Sequence, residues 1–120
     1  MPKKLNCMVY NQRDIVWVNF QFNDGQFKPH LAVIVSDNSL HETTGDYYIV
    51  LISSKQIYPE NTIEITDEMV NGWSFEKKSY VICHIIESDL SRDFQRKVGT
   101  VKKEYFDLIL DKVLLTIFNR

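Results

Sequence analysis

Apolar residues alternate with polar ones along most of this 120-residue chain, and this period of two predicts a protein built mainly from short β-strands. In the first segment, Asp14–Phe22, both sets of alternate residues are largely apolar, which predicts a strand covered on two sides. A turn signal, Asn23-Asp24-Gly25, follows it, and the polar stretch Asp37–Asp46 is interpreted as a loop. The remaining predicted strands are His30–Ser36, Tyr47–Ser53, Thr62–Thr66 and Ser79–Ile86.

Two segments of the second half have a pattern that predicts helices. The first is Ser88–Arg96, a short segment with Ser88 or Asp89 as a candidate cap. The second is Val101–Phe118, in which polar residues recur at every fourth position after a candidate N-cap, Thr100. The chain is therefore expected to end in an amphipathic helix.

The apolar arc of this last helix is wider than contact with one sheet face requires. Either the helix packs on its own sheet with one side and on a second subunit with another, or it lies deep between its own strands. Five or six short strands and one helix predict a single domain, residues 1–120, built as a small and strongly curved sheet or barrel.

The composition is that of an ordinary globular protein, with 44% hydrophobic and 25% charged residues. No apolar run approaches the roughly 18–20 residues that span a bilayer, so no membrane association is expected. The apolar segment after Lys3-Lys4 is too short for a signal peptide, and we expect a cytoplasmic protein. A net charge of −2 argues against a dominant non-specific nucleic-acid binder but allows a local basic groove.

The cysteines and histidines do not form a pattern that binds metal. Cys7 and Cys83 are expected to be two free, partly buried thiols in a reducing compartment. The three histidines are scattered, and the four glycines form neither a P-loop nor a dinucleotide motif. We therefore expect neither a metal nor a cofactor.

Five segments form a recognisable series along the chain: Val18–Asp24, Lys28–Ser36, Ile49–Ser54, Ser79–Ile82 and Val98–Val101 with the helix after it. In this order they resemble the MazF/PemK family of toxins. The resemblance implies an SH3-like (CcdB/MazF-like) antiparallel barrel with a C-terminal α-helix, a homodimer, and the toxin role in a type II toxin–antitoxin system with a cognate antitoxin protein. It also implies the activity for which the family is best known. This is metal-independent cleavage of single-stranded RNA by its own 2′-OH, which leaves a 2′,3′-cyclic phosphate and a 5′-OH.

The resemblance also implies a catalytic centre with two positions, because the family places an Arg at the entry of the second strand and a Thr or Ser at the end of the third. Counting back from Ser36 without a gap puts His30 at the Arg position, and we prefer this alignment, because one on the Lys-Pro pair puts Lys28 there only with inserted residues. Ser53 stands at the Thr position. An imidazole gives and takes protons near neutral pH, and Lys28 would supply fixed charge on the same face. The alternatives are a strand-end histidine, a solvated lysine and a serine that caps a turn.

Four further residues are candidates for RNA binding: Lys77, Lys78, Arg92 and Trp73. Charged runs are also typical of solvated faces, and Trp73, beside a turn, is expected to be more exposed than Trp17. The Gln and Arg with which the family holds RNA have no counterpart in His84–Glu87. Two other functions therefore stay open: a binding-only toxin, like the relative of the same fold that poisons DNA gyrase, and a generic interaction module.

Overall fold

The computed structural model describes residues 9–21 and 23–120, and within them eight strands form one antiparallel sheet. Their order across the sheet is β4-β6-β3-β2-β1-β8-β5, and β7 pairs with the first half of β3. The strands are β1 (Asp14–Gln21), β2 (Phe27–Ile34), β3 (Asp46–Ser53), β4 (Thr62–Ile65), β5 (Val70–Asn71), β6 (Ser79–Ile82), β7 (Glu87–Leu90) and β8 (Phe94–Val101). The described helices are α1 (Asn38–Thr44), α2 (Lys103–Phe118) and the 3-10 turns Pro59–Asn61, Asp67–Met69 and Ser91–Asp93.

The curvature of the sheet has its origin in β1, which pairs with β2 on one edge and with β8 on the other. The pairing with β8 shifts register twice, between Ile15 and Val16 and between Trp17 and Val18. Each such irregularity bends the strand and increases its right-handed twist. The prediction of a mainly β, strongly curved sheet with a C-terminal helix is confirmed.

Side chains on the two faces of β1 enter two separate hydrophobic cores. Ile15 lies in one core, which α2 covers, and Val16 and Val18 lie in the other. All three side chains are at most 1% exposed. Burial of each such side chain contributes roughly 1.5–3 kcal/mol relative to exposure. The predicted burial of this strand on both sides is confirmed for its first half, whereas Asn19 and Gln21 near its end are exposed.

The segment predicted as a loop after β2 contains α1, so that prediction is wrong. The Asp37 carboxylate caps this helix by accepting a hydrogen bond from the Ser39 backbone N–H at 3.0 Å. Gly45 ends it with a φ of 82°. The His41 ring stacks on Tyr47 with centroids 4.2 Å apart, which fixes the short helix on the second core. The aspartate and the glycine were signals for a cap at each end.

The segment Ser88–Arg96 does not form the predicted helix. It contains the end of β7, the turn Ser91–Asp93 and the start of β8. Asp89 pairs with Tyr47 of β3, and Phe94 pairs with Val18 of β1. Bonding to two existing strands outweighs the weak helix propensity of this short segment.

Several predicted boundaries differ from the structure by a few residues. Helix α2 begins at Lys103 rather than Val101, because Val101 still belongs to β8 and donates its N–H to the Arg13 carbonyl. Thr100 does not cap the helix, and its hydroxyl donates to Asp14 at 3.4 Å. β2 starts at Phe27, and β6 ends at Ile82. Cys83 is a buried free thiol, whereas the predictions for Cys7 and Phe22 lie outside the described residues.

Helix α2 buries one face and exposes a second apolar face. Phe106, Ile109 and Val113 are at most 2% exposed and belong to the first core. The alternative that the helix lies deep between its own strands is therefore wrong. Its exposed large apolar side chains are Leu108, Leu114, Leu115, Ile117 and Phe118. No helix in the described part of the chain is both long enough and apolar enough to cross a membrane.

Gly99 in β8 allows the segment after β5 to approach it closely. A Cβ at this position would lie 2.6 Å from the Asn71 carbonyl oxygen and 3.1 Å from Cβ of Trp73. Gly72, which lies between Asn71 and Trp73 in the sequence, has a φ of 86°, a value that residues with a side chain rarely adopt. The two glycines together place Trp73 against the sheet.

Three carboxyl groups lie close together at β7 and the turn that follows it. Asp93 accepts a hydrogen bond from the Leu90 N–H at 2.8 Å. Burial, together with the charges of Asp93 and Glu87, raises the pKa of Asp89 to about 6. Burial also raises the pKa of Glu87. The charged form of Asp89 is therefore disfavoured in the folded protein.

Gly99→Ala is expected to lower the free energy of unfolding by about 1–3 kcal/mol, because the added methyl group meets backbone and Trp73. Urea unfolding followed by tryptophan fluorescence measures both the stability and the environment of the indole rings. Gly45→Ala is the control: its φ of 82° strains the variant, but no atom lies within 4 Å of the added methyl group. A native emission spectrum that changes in the control but not in Gly99→Ala would contradict this account.

Asp89→Asn is expected to raise the free energy of unfolding at pH 7 by about 1 kcal/mol, discounted for the partial exposure of the group. Because the pKa of Asp89 is raised in the folded protein, the carboxyl group contributes its full stability below about pH 4, where it is protonated. This contribution to the free energy of unfolding is lost as the pH rises through about 6. The difference between variant and wild type should therefore grow from near zero at pH 4 to its full value at pH 7. Asp24→Asn, in an exposed turn, is the control, and equal effects of Asp89→Asn at both pH values would refute the assignment.

Candidate functional site

A groove of about 310 Å³ lies where β2 begins and β3 ends, and we call it the β2–β3 groove. Because these strands are antiparallel neighbours, their two ends meet at the same edge of the sheet. The segment between β5 and β6 forms the opposite wall. The residues that line the groove are Trp17, Pro29, His30, Leu31, Ile52, Ser53, Ser54, Trp73, Phe75, Glu76, Lys77 and Ser79.

His30 and Ser53, predicted from different strands, are brought together in this groove. Leu31 is paired with Ile52, and the next residues outward on the two strands are His30 and Ser53. The His30 Nδ1 lies 3.1 Å from the Ile52 carbonyl oxygen. A carbonyl only accepts, so this contact selects the tautomer in which Nδ1–H donates and the lone pair lies on Nε2. The imidazole is half-buried and held by the backbone of the neighbouring strand.

The Ser53 hydroxyl has a structural contact as well as its place in the groove. Its Oγ accepts a hydrogen bond from the Lys55 backbone N–H at 3.0 Å, as expected for a serine that caps a turn. A hydroxyl that accepts one bond still carries an O–H that can donate. The next residue, Ser54, also lines the groove.

Two tryptophans form the apolar floor of the groove. The rings of Trp17 and Trp73 meet edge to face, with centroids 6.3 Å apart and an interplanar angle of 87°. Both side chains are half-buried, and the expectation that Trp73 is the more exposed of the two stays a prediction. The Trp73 Nε1 is buried with no hydrogen-bond partner among the described residues, which leaves its ring rather than its N–H for contact with a ligand.

The wall after Trp73 is held in place by one carboxylate. Asp67 accepts hydrogen bonds from the Phe75 N–H at 2.8 Å and from the Ser74 hydroxyl at 3.1 Å. The next two residues, Glu76 and Lys77, are exposed and line the groove. The site therefore presents one anion and one cation side by side on a wall of fixed position.

The other predicted site residues lie outside the β2–β3 groove. Lys28 is exposed and pairs with Phe20 across β1, on the same face of β2 as His30. Lys78 lines an adjoining groove of about 540 Å³ on the far side of the wall. Arg92 is exposed in the turn Ser91–Asp93, which follows β7. β7 pairs with the first half of β3, whereas Ser53 is at the end of the second half.

The residues in place of the family's Gln and Arg, Ile85 and Glu87, do not line the groove. Ile85 is exposed, and Glu87 belongs to β7 and pairs with Ile49. His84, which precedes them, is half-buried and packs against Tyr58 with ring centroids 5.4 Å apart. It follows β6, where the sequence predicted that the strand would continue to Ile86.

Eight of the twelve groove residues were not predicted from the sequence as parts of the site, among them Trp17, Phe75 and Glu76. Glu76 precedes the predicted Lys77, and this adjacency was the available signal. Within residues 9–21 and 23–120, no cluster of three or more His, Cys, Asp or Glu side chains is arranged to hold a metal ion. Besides the two indole rings, the polar side chains that line the groove are an imidazole, three hydroxyls, a carboxylate and an ammonium group.

Comparison with solved structures finds the same fold in proteins of low sequence identity. An endoribonuclease in complex with its cognate antitoxin, from a mycobacterial species, is 15% identical, with a TM-score of 0.70 over 90% of this chain and 94% of that one. A MazE–MazF complex from Deinococcus radiodurans is 17% identical, with a TM-score of 0.69 over 89% and 94%. Mycobacterium tuberculosis toxin MazF-mt6 is 15% identical, with a TM-score of 0.69 over 89% and 97%.

The sequence itself carries the family signature over most of its length. No curated protein sequence matches the chain significantly. A family model described as "PemK-like, MazF-like toxin of type II toxin-antitoxin system" matches residues 11–117. This match includes every strand and nearly all of α2. The chain belongs to the PemK-like, MazF-like family of toxins of type II toxin–antitoxin systems.

Proposed function

We propose that this toxin is a metal-independent endoribonuclease that cuts single-stranded RNA in the β2–β3 groove. The observation that carries the proposal is the meeting of His30 and Ser53 in the groove, one residue beyond the last β2–β3 pair, Leu31 with Ile52. The two residues stand at the positions where the family has its strand-entry Arg and its Thr or Ser. The solved relative described as an endoribonuclease has the same fold.

In the proposed reaction, His30 serves as the proton-transfer group. The 2′ oxygen attacks phosphorus as its proton passes to the imidazole, and the bond from phosphorus to the 5′ oxygen breaks. The imidazolium returns a proton to that oxygen, so the products are a 2′,3′-cyclic phosphate and a 5′-OH. Proton transfer of this kind contributes roughly 10²–10⁴-fold to a rate.

Ser53 and Lys77 stabilise the charge that develops on the phosphorus oxygens. The Ser53 O–H donates to a non-bridging oxygen of the phosphate. The hydrogen bond that Oγ accepts from the Lys55 N–H fixes the position of this hydroxyl. Lys77 is the ammonium group within the groove. Lys28 is two residues from His30 on one face of β2 and adds charge at the groove entrance. Trp73 supplies an aromatic surface for a base.

The same proposal includes a homodimer in the cytoplasm that a cognate antitoxin inhibits. The exposed apolar face of α2 is the surface for the second subunit, because it extends over five large side chains that the single chain leaves uncovered. We infer that an acidic segment of the antitoxin covers the groove, where Lys77 and His30 would meet its carboxylates. Two of the similar structures are described as complexes with an antitoxin or with MazE.

A binding-only toxin is the second candidate, and one observation favours it. Ile85 and Glu87, which stand in place of the family's Gln and Arg, do not line the groove and leave it without those RNA contacts. Such a protein would have the same fold and would still be bound by an antitoxin, but it would not cut RNA.

The test is incubation of purified protein with a long single-stranded RNA in the presence of EDTA, with the 5′ ends of all products mapped. We expect discrete cuts with 5′-OH ends. His30→Ala should lower the rate roughly 10²–10⁴-fold and Ser53→Ala roughly 10²-fold, because they remove the proton-transfer group and an oxyanion donor. Lys28→Ala should have a smaller effect that fades at high salt.

The matched control is His84→Ala, which removes an imidazole that does not line the groove. Folding of each variant is checked by urea unfolding, since His30 and Ser53 are only partly buried. Cleavage that persists in His30→Ala would show that the reaction centre does not include His30. No cleavage of several RNAs by folded wild-type protein would favour the binding-only toxin.

A further inference from the structure

The groove contains a carboxylate that the proposed reaction does not use. Glu76 lines the groove next to Lys77, and it forms no ion pair within the part of the chain that the structure describes. A fixed negative charge repels the phosphates of RNA and weakens binding unless it accepts hydrogen bonds from the ligand. Its position in an RNA groove therefore requires an explanation.

The backbone that leads to Glu76 is anchored by the residues before it. Asp67 holds Ser74 and Phe75 through two hydrogen bonds, and Gly99 allows Trp73 to lie against the sheet. The exposed Glu76 side chain therefore extends from an anchored segment of the wall. Binding of a ligand then costs the freedom of this side chain but does not require a mobile loop to become ordered.

The rest of the groove fits the flat, apolar face of a nucleobase. Its volume of about 310 Å³ is at the small end of ligand sites, which suits one base with its phosphate. Single-stranded RNA is read by stacking bases on aromatic side chains and by bonding to their Watson–Crick edges. The aromatic and aliphatic lining consists of Trp17, Leu31, Ile52, Trp73 and Phe75.

The chemistry of a carboxylate distinguishes the four bases. An ionised carboxylate only accepts hydrogen bonds, and its two oxygens match two parallel N–H donors. Guanine presents two adjacent donors, N1–H and the 2-amino group, on its Watson–Crick edge. Adenine and cytosine present a single amino group there, and the one N–H of uracil lies between two carbonyl oxygens that a carboxylate repels.

We propose that Glu76 selects guanine, which it holds by two hydrogen bonds to the Watson–Crick edge while Trp73 or Phe75 contacts the face of the base. This inference rests on the proposed RNA-binding role of the groove and specifies the base that the groove takes. Glu76 is a specificity-determining residue in this account. The reaction centre, His30 and Ser53, lies in the same groove and receives the phosphate attached to that nucleotide.

The experiment measures binding without cleavage. The probes are fluorescently labelled octamers of deoxyuridine with guanine, hypoxanthine, adenine, cytosine or uracil at one central position, which lack the 2′-OH nucleophile. Anisotropy titration of the wild-type protein should give at least roughly tenfold tighter binding to the guanine octamer than to those with adenine, cytosine or uracil. Hypoxanthine, which lacks only the 2-amino group, should lie between guanine and the others.

Glu76→Gln should bring all five affinities within about twofold of one another, because an amide keeps one acceptor and adds a donor. The matched control is Glu68→Gln, which makes the same change at an exposed carboxylate of the adjoining groove and should keep the preference for guanine. Asp67→Ala, which releases the wall, should weaken the preference for guanine more than the affinity for the uracil octamer.

Equal affinity of the wild type for all octamers would overturn the proposal, as would a guanine preference that survives in Glu76→Gln. Failure to bind any octamer would overturn it too, since the groove would then not accept a base. The two proposals fail separately. If the protein cuts no RNA but shows a guanine preference that depends on Glu76, this inference stands and the endoribonuclease proposal is refuted. If the protein cuts RNA without a guanine preference, the endoribonuclease proposal stands and this inference is refuted.

Discussion

The burial of β1 on both faces is the constraint on which the rest of the structure depends. A strand with a core on each side has no solvent face that allows it to slip, so its register with β2 and β8 is fixed. Its first residue, Asp14, is a carboxylate with 2% exposure, a costly group to bury unless it is paired. Lys97 at 3.1 Å and the Asn11 N–H at 2.8 Å supply those partners and fix where β1 and β8 meet.

The position of the groove follows from this packing. The second half of β2 is fully buried, with Ala32 and Val33 at 0% exposure, so a side chain there would not reach a ligand. His30 and Ser53 lie one residue beyond the last β2–β3 pair, where both strands become partly accessible. The proposed reactive groups thus stand on paired strands, whose backbones hold them more rigidly than a loop would.

The sequence predicted the elements whose signals are local, and it missed those that depend on distant contacts. Alternation located β1 and β3 to within a residue of their described ends. His30 and Ser53 became candidates through the resemblance to the toxin family, which has its reactive residues at the entry of the second strand and the end of the third. Ser88–Arg96 was predicted as a helix because nothing local shows that β3 and β1 are available to pair with it. Glu76 could not be assigned to the groove for the same reason, since its place depends on Asp67 and Gly99, which lie 9 and 23 residues away in sequence.

The charge of the chain determines how such a groove would have to bind RNA. With a net charge of −2, the protein as a whole does not attract a polyanion, so long-range steering contributes little. Affinity then has to come from contacts within the groove: the Lys77 ammonium, the aromatic rings and hydrogen bonds to base edges. These contacts act over a few ångströms and depend on which base is present, unlike the attraction between phosphates and a basic surface. A weakly acidic toxin with an aromatic groove would therefore gain sequence selectivity by giving up general affinity for RNA.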